Sequence, residues 1–225
     1  MLECSSCPFH SSANHDFSCL SKKRDVEHIF YSKGDVIFDE KERLGGLFCI
    51  QKGTCKISKM SSNGREQIIE LLTNKTLLGI RSLLNGEMTN LRAIAITPMK
   101  VCYVPKSVFL KTLKSNDDFT VFLCQLLANY IKSTDDKIID LGQKSVSQRV
   151  AKLVLSMKNY FEMDEEGFVK IKIRREDMAN MIGVATESLI RTLSDFQKNR
   201  WIQTKGRQLR IVNPKKLVSI ESGLS

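Results

Sequence analysis

The chain has 225 residues, 42 % hydrophobic and 27 % charged, with only four prolines and twelve glycines, a balance that excludes a disordered or fibrous chain and leaves room for two modest domains, each with its own core. No apolar run reaches the length of a bilayer span and the N-terminus lacks the basic-then-apolar pattern of a signal peptide, so a cytoplasmic location without membrane contact is expected. The net charge of +10 is uneven: residues 143–225 hold 16 Lys and Arg against 9 Asp and Glu, and a basic region of that kind attracts polyanions, nucleic acid first.

Seven cysteines are an odd number in a chain without an export signal, which argues for reduced thiols or ligands rather than a disulfide framework. The histidines are His10, His15 and His28. With no His-Glu-x-x-His pair, phosphate loop or nucleophile elbow, no catalytic set is assembled, and an enzyme is not expected.

Along residues 29–104, short apolar stretches alternate with turn residues. Asp35–Phe38, Gly46–Ile50, Cys55–Lys59, Gln67–Leu72, Arg92–Ile96 and Val101–Val104 are separated by Lys33-Gly34, Lys52-Gly53 and Asn63-Gly64. Turns roughly every 8–12 residues predict antiparallel strands closing into a sandwich or barrel, here an all-β sensor domain.

From Ser115 to Leu141 the period becomes helical. Cys124, Leu127, Ile131, Thr134, Ile138 and Leu141 fall at alternating spacings of three and four, a heptad seam that suits a coiled-coil partner; a helix packed on its own β domain is the alternative. A second helical run, Val146–Phe161, precedes an acidic turn and an expected strand, Phe168–Ile173.

The segment Arg175–Ser194 places apolar Met178, Ile182, Val184, Leu189 and Leu193 where two short helices must touch, with Ala179 small enough for a close crossing and Gly183 at the turn. This predicts a helix-turn-helix whose second helix presents Thr186, Glu187, Ile190 and Arg191 to a major groove. An Arg can donate twice to guanine and a Glu can accept from cytosine, although spacing of four also allows Glu187 and Arg191 to pair with each other. Lys205-Gly206-Arg207, between two short apolar stretches, reads as the tip of a wing that reaches phosphates. Trp201 reads as core.

In this order, with Gly183-x3-Glu187-x3-Arg191, the sequence resembles the CRP/FNR family of regulators over about residues 20–215, and is closer to the FNR branch than to the cyclic-AMP receptors. The resemblance implies an α+β fold: an N-terminal β-roll or jelly-roll of the cyclic-nucleotide-binding type, a long dimerisation helix and a C-terminal winged helix-turn-helix. It divides the chain into a cysteine-containing segment 1–20, a sensor domain 21–114, the helix 115–142 and a DNA-binding domain 143–225.

It further implies a transcription regulator, a homodimer on double-stranded DNA carrying a TTGA-like palindrome, with RNA polymerase as a protein partner. The DNA-contacting set becomes Arg174, Arg175, Thr186, Glu187, Ser188, Ile190, Arg191, Lys205 and Arg207. Ile190 departs from the Ser of the FNR branch, and contact with a thymine methyl would replace it. Arg174 stands where Thr is common, and Ala185 is a poor cap.

Cyclic-nucleotide-binding members carry a Gly-Glu pair and, about ten residues on, an Arg-Ser pair; here Gly79-Ile80-Arg81 through Asn90-Leu91 lacks the Glu, Arg and Ser, so cyclic AMP is not expected. The FNR branch holds an oxygen-labile iron–sulfur cluster on four cysteines. Cys4, Cys7, Cys19 and Cys102 are the matching metal-ligand candidates for a 4Fe-4S cluster, with His10 and His15 as substitutes in a mixed site. Three readings stay open: a cluster, another metal or thiol-redox sensor, or reduced thiols without a ligand. Cys49, Cys55 and Cys124 read as structural thiols. The rival functions are an unidentified small-molecule effector in a degenerate nucleotide pocket and a nucleotide-binding module that acts without DNA.

Overall fold

The computed structural model describes residues 27–223. They fall into two units: one holds the described residues through Lys59 with Ile69–Lys132, the other Met60–Ile68 with Ser133 onward.

Eight strands, of which only Met60 and residues 66–68 fall in the second unit, build the first: β1 Glu27–Tyr31, β2 Val36–Phe38, β3 Gly46–Lys52, β4 Cys55–Met60, β5 Glu66–Leu72, β6 Leu77–Leu78, β7 Arg92–Ala95 and β8 Met99–Pro105. They form two four-stranded sheets in the orders β1-β8-β3-β6 and β2-β7-β4-β5. Non-consecutive neighbours mean that the chain crosses between sheets, which closes a roll around one core. Leu47, Ile50, Cys55, Ala93, Val101 and Val104 fill that core together with Phe109 and Phe119, whose rings meet edge-on at 6.2 Å. Burial of such side chains stabilises each by about 1.5–3 kcal/mol.

All six stretches expected as strands are strands, because each is apolar over at least one face and bounded by turn residues. Two strands were not expected. Glu27–Tyr31 shows little burial, and β6 is only two residues long, so neither writes an alternation that could be read. Three helices follow: α1 Ile80–Asn85, α2 Lys106–Ser115 and α3 Asp117–Gln143, the last continuing from the first unit into the second.

The second unit contains α4 Val146–Tyr160, α5 Arg175–Ile182, α6 Thr186–Lys198, the hairpin β9 Ile202–Lys205 with β10 Gln208–Ile211, and α7 Pro214–Glu221. Helix α4 starts on a capping box in which the Ser145 hydroxyl accepts from the Gln148 amide while the Gln148 side chain accepts from the Ser145 amide. Its apolar stripe, Val150, Ala151, Val154 and Met157, is buried together with Met178, Leu189, Phe196 and Leu217.

The strand expected at Phe168–Ile173 does not form. Only isolated bridges join Met163 to Val169 and Phe168 to Arg210. Phe168 and Val169 are both buried, which breaks the period of two, and pairing with the free edge of β10 stops after one bridge, where the Val169 amide donates to the Leu209 carbonyl at 2.9 Å.

Candidate nucleic-acid interface

Helix α5 ends at Gly183, whose φ of 62° and ψ of 46° are left-handed; the Val184 amide donates back to the Ala179 carbonyl at 3.2 Å, closing the helix and turning the chain toward α6. Arg149 of α4 clamps that turn: its Nη1 donates to the Ile182 carbonyl at 2.8 Å and to the Gly183 carbonyl at 3.4 Å. Within the same unit the Gln67 Nε2 donates to the Asn180 carbonyl at 2.6 Å. Neither Arg149 nor Gln67 was found from the sequence, since both lie far from the motif along the chain.

Helix α6 buries Leu189, Leu193 and Phe196, at spacings of four and three, so its orientation is fixed by packing on one stripe. The opposite stripe carries Glu187, Ile190 and Arg191, all exposed, with Ile190 at 48 %. Thr186 and Ser188 are half-buried at its first turn. Among the described residues no ion pair joins Glu187 to Arg191, so both can meet a ligand. Ala185 caps α6 without a side-chain hydrogen bond, as its methyl group requires.

The wing is the β9–β10 hairpin, turned at Gly206, with Lys205 and Arg207 exposed on either side. Here the two arginines at the start of α5 take distinct positions. Arg174 grips Asp177 bidentately, Nε to Oδ2 at 2.8 Å and Nη2 to Oδ1 at 3.0 Å; that hydrogen bond and charge hold its pKa above the ordinary value. Arg175 instead reaches the wing, donating to the Gly206 carbonyl at 3.4 Å and the Arg207 carbonyl at 3.5 Å. Burial lowers its pKa, and repulsion from Arg207 adds to the shift. Lys205 lies 3.7 Å from Glu166 and 5.9 Å above the Phe168 ring. Arg207 is thus the tip residue whose charge is least engaged in the hairpin. Trp201 is half-buried, 5.4 Å from the Phe196 ring, with Lys216 above it.

On α3 the seam residues Cys124, Ile131, Ile138 and Leu141 are exposed, while Leu127 and Thr134 are half-buried. Val121 and Ile139 are also exposed, off the expected seam. Of the thiols expected to ligate metal, Cys102 lies buried in β8; Cys4, Cys7 and Cys19, with His10 and His15, lie outside the described residues. Among the described residues no group of three or more His, Cys, Asp or Glu is arranged to hold a metal ion, and no helix is long and apolar enough to cross a membrane. In the stretch compared with a nucleotide pocket, Ile80 is buried in the core and Arg81 donates to the Asn90 side chain.

Comparison with known families matches two separate stretches of the chain. Residues 28–116 match the cyclic nucleotide-binding domain, and residues 148–220 match the Crp-like helix-turn-helix domain. The chain belongs to the CRP/FNR family of transcription regulators. Regulators of this family bind DNA and act as dimers.

Similar proteins include the CRP-like cAMP-activated global transcriptional regulator of Mycobacterium tuberculosis, 22 % identical over 86 % of this chain and 88 % of that protein. The fumarate and nitrate reduction regulatory protein of Vibrio cholerae is 25 % identical over 89 % of this chain and 79 % of that one. In fold, this CRP/FNR regulator is similar to FixK2 from Bradyrhizobium japonicum, with a TM-score of 0.78, 24 % identity, and 87 % and 97 % of the two chains covered. A CRP/FNR-family regulator from Thermus thermophilus has a TM-score of 0.77 at 17 % identity, over 88 % of this chain and all of that one. The Mycobacterium, Vibrio and Thermus proteins are named as regulators.

Proposed function

We propose that this regulator acts as a homodimer that reads a TTGA-like palindrome with α6, joined through the exposed apolar residues of α3. The observation that carries the reading is the stripe Glu187, Ile190 and Arg191, exposed and held rigidly from behind by Leu189, Leu193 and Phe196. Arg191 donates two hydrogen bonds to a guanine, Glu187 accepts from a cytosine and Ile190 packs on a thymine methyl. Arg207 and Lys205 supply phosphate contacts from the wing. Arg174 and Arg175 serve the interface through Asp177 and the wing carbonyls, with Thr186 and Ser188 at the entry to α6. The sensor domain (21–114), the dimerisation helix (115–142) and the DNA-binding domain (143–225) divide the work, and RNA polymerase is the protein partner of the DNA-bound dimer.

The cue is redox or oxygen acting through cysteines, in keeping with the FNR branch, and not cyclic AMP. Supporting this, a buried Ile80 occupies the place where a nucleotide binder needs an acid, and Arg81 is engaged by Asn90. A 4Fe-4S cluster would be held by Cys4, Cys7, Cys19 and Cys102, and when bound it supplies oxygen-labile redox chemistry. Thiolates suit iron, and Cys102 offers one shielded from solvent.

The test of DNA reading is equilibrium binding to a TTGA palindrome and to a scrambled duplex at several salt concentrations. Arg191→Ala should retain fold and dimer but lose about 1–3 kcal/mol of discrimination at the guanine. Equal discrimination by variant and parent would refute the assignment. Iron and sulfide analysis of anaerobically purified protein tests the cluster: a colourless, metal-free protein whose DNA binding ignores oxygen would eliminate it.

A further inference from the structure

Strand pairing assembles a row of sulfur that the sequence order hides. Cys102 on β8 lies directly opposite Cys49 on β3 and, on its other side, opposite His28 on β1. Cys49 faces Leu77 of β6 in turn. Directly opposed residues of an antiparallel ladder project to the same face, so His28, Cys102, Cys49 and Leu77 form one line across the sheet. It is open to solvent at the exposed imidazole and closed at the leucine. Both thiols are reduced and buried, Cys102 at 6 % exposure and Cys49 at 1 %.

Opposed Cα atoms in such a ladder stand about 4.5–5.5 Å apart, inside the range of about 4.4–6.8 Å that a disulfide spans. The rungs Leu47 to Val104, Phe48 to Tyr103 and Ile50 to Val101 hold the two backbones in register, so the Cα separation suits a bridge. Cys55, equally buried, faces Ala95 and has no thiol opposite it.

We infer that Cys49 and Cys102 are a redox-active dithiol that closes to an intramolecular disulfide when met by a small two-electron oxidant of the peroxide class. The Cys102 sulfur, the more accessible, attacks one peroxide oxygen; the O–O bond breaks, giving a sulfenic acid and water. The Cys49 sulfur then attacks the Cys102 sulfur and expels a second water. Two thiols are oxidised by two electrons and one hydrogen peroxide is reduced to two waters. The bridge would also withdraw Cys102 from the ligand set of a cluster. That consequence rests on the cluster reading, whereas the disulfide does not.

The test uses the full chain, purified anaerobically and stripped of iron by a chelator. The protein is exposed to hydrogen peroxide, quenched in acid, alkylated while denatured and mapped by mass spectrometry. The expected product is a Cys49–Cys102 linked peptide pair, lighter than the sum of its parts by two hydrogens, reversed by dithiothreitol and absent from Cys49→Ser. Mapping of the parent protein stands whether or not that variant folds. Full alkylation of both residues after peroxide, or linkage of Cys102 to Cys4, Cys7 or Cys19 instead, would overturn the inference. Iron and sulfide assayed before chelation report the cluster separately: a linked pair in protein isolated without iron supports the dithiol alone, and an iron-containing protein that forms no link after stripping sinks the dithiol alone.

Discussion

Replacing Arg149 by methionine keeps the stem that packs beside the turn and deletes the guanidinium that donates to the Ile182 and Gly183 carbonyls. A hydrogen bond from a charged donor contributes about 1.5–3 kcal/mol, and a cation at a helix C-terminus adds about 0.3–1 kcal/mol. Against this, the enclosed Arg149 Nε makes no hydrogen bond among the described residues, a penalty of about 1–3 kcal/mol that disappears with the side chain. The Gly183 carbonyl lies on an exposed residue, where water can replace the longer contact. The balance leaves a loss of about 1–2 kcal/mol, which in urea moves the midpoint down by about 0.5–1 M for a slope near 2 kcal/mol per M. Unfolding must be followed at one protein concentration, because the proposed dimerisation couples to stability. Specific DNA affinity should fall with stability, since the turn sets the direction of α6, and Arg149→Lys should recover only part, a point charge replacing a fork. A methionine variant with the parent's midpoint and affinity would refute the clamp.

Gly183→Ala forces a side chain into left-handed backbone and puts its Cβ 2.9 Å from the Leu141 Cδ2. Because that methyl is the end of a flexible chain and can swing aside, the cost is mainly the backbone's, about 1–2 kcal/mol; thermal unfolding beside Gly206→Ala, which has the same φ and open space, should give similar losses. Asp140 is desolvated, which raises its pKa, but hydrogen bonds from Lys152 and Lys144 outweigh this and hold the carboxyl below the ordinary range. It therefore contributes stability present above the unfolded pKa and lost as pH falls through the lower folded value, so Asp140→Asn should flatten the loss seen below about pH 4; an unchanged acid limb would contradict it. Arg207→Ala should weaken binding evenly across DNA sequences and reduce the salt slope by about 1, as titrations at several ionic strengths would show.

The strands of the first unit were legible wherever apolar residues alternate between glycine-marked turns, and the helix-turn-helix was legible because the left-handed turn at Gly183 and the apolar stripes on either side of it are written within one short segment. Helix α7 escaped notice although its start is written in Asn213, which caps it, and Pro214 at its first position. The expected strand at Phe168–Ile173 failed for the opposite reason: its residues are strand-like, but Phe168 and Val169 are both buried and its pairing with β10 stops at a single bridge.

By itself the sequence determined six strands of the first unit, the long helix, the helix pair of the helix-turn-helix and which stripe of α6 faces away from the core, because these follow from neighbours within about a dozen residues. Tertiary structure alone decided that Arg174 binds Asp177, that Arg175 braces the wing, that Arg149 clamps the turn and that Cys49 faces Cys102. Three of these four join residues more than thirty positions apart, and such partnerships depend on register and packing between elements, which no local pattern of side chains encodes.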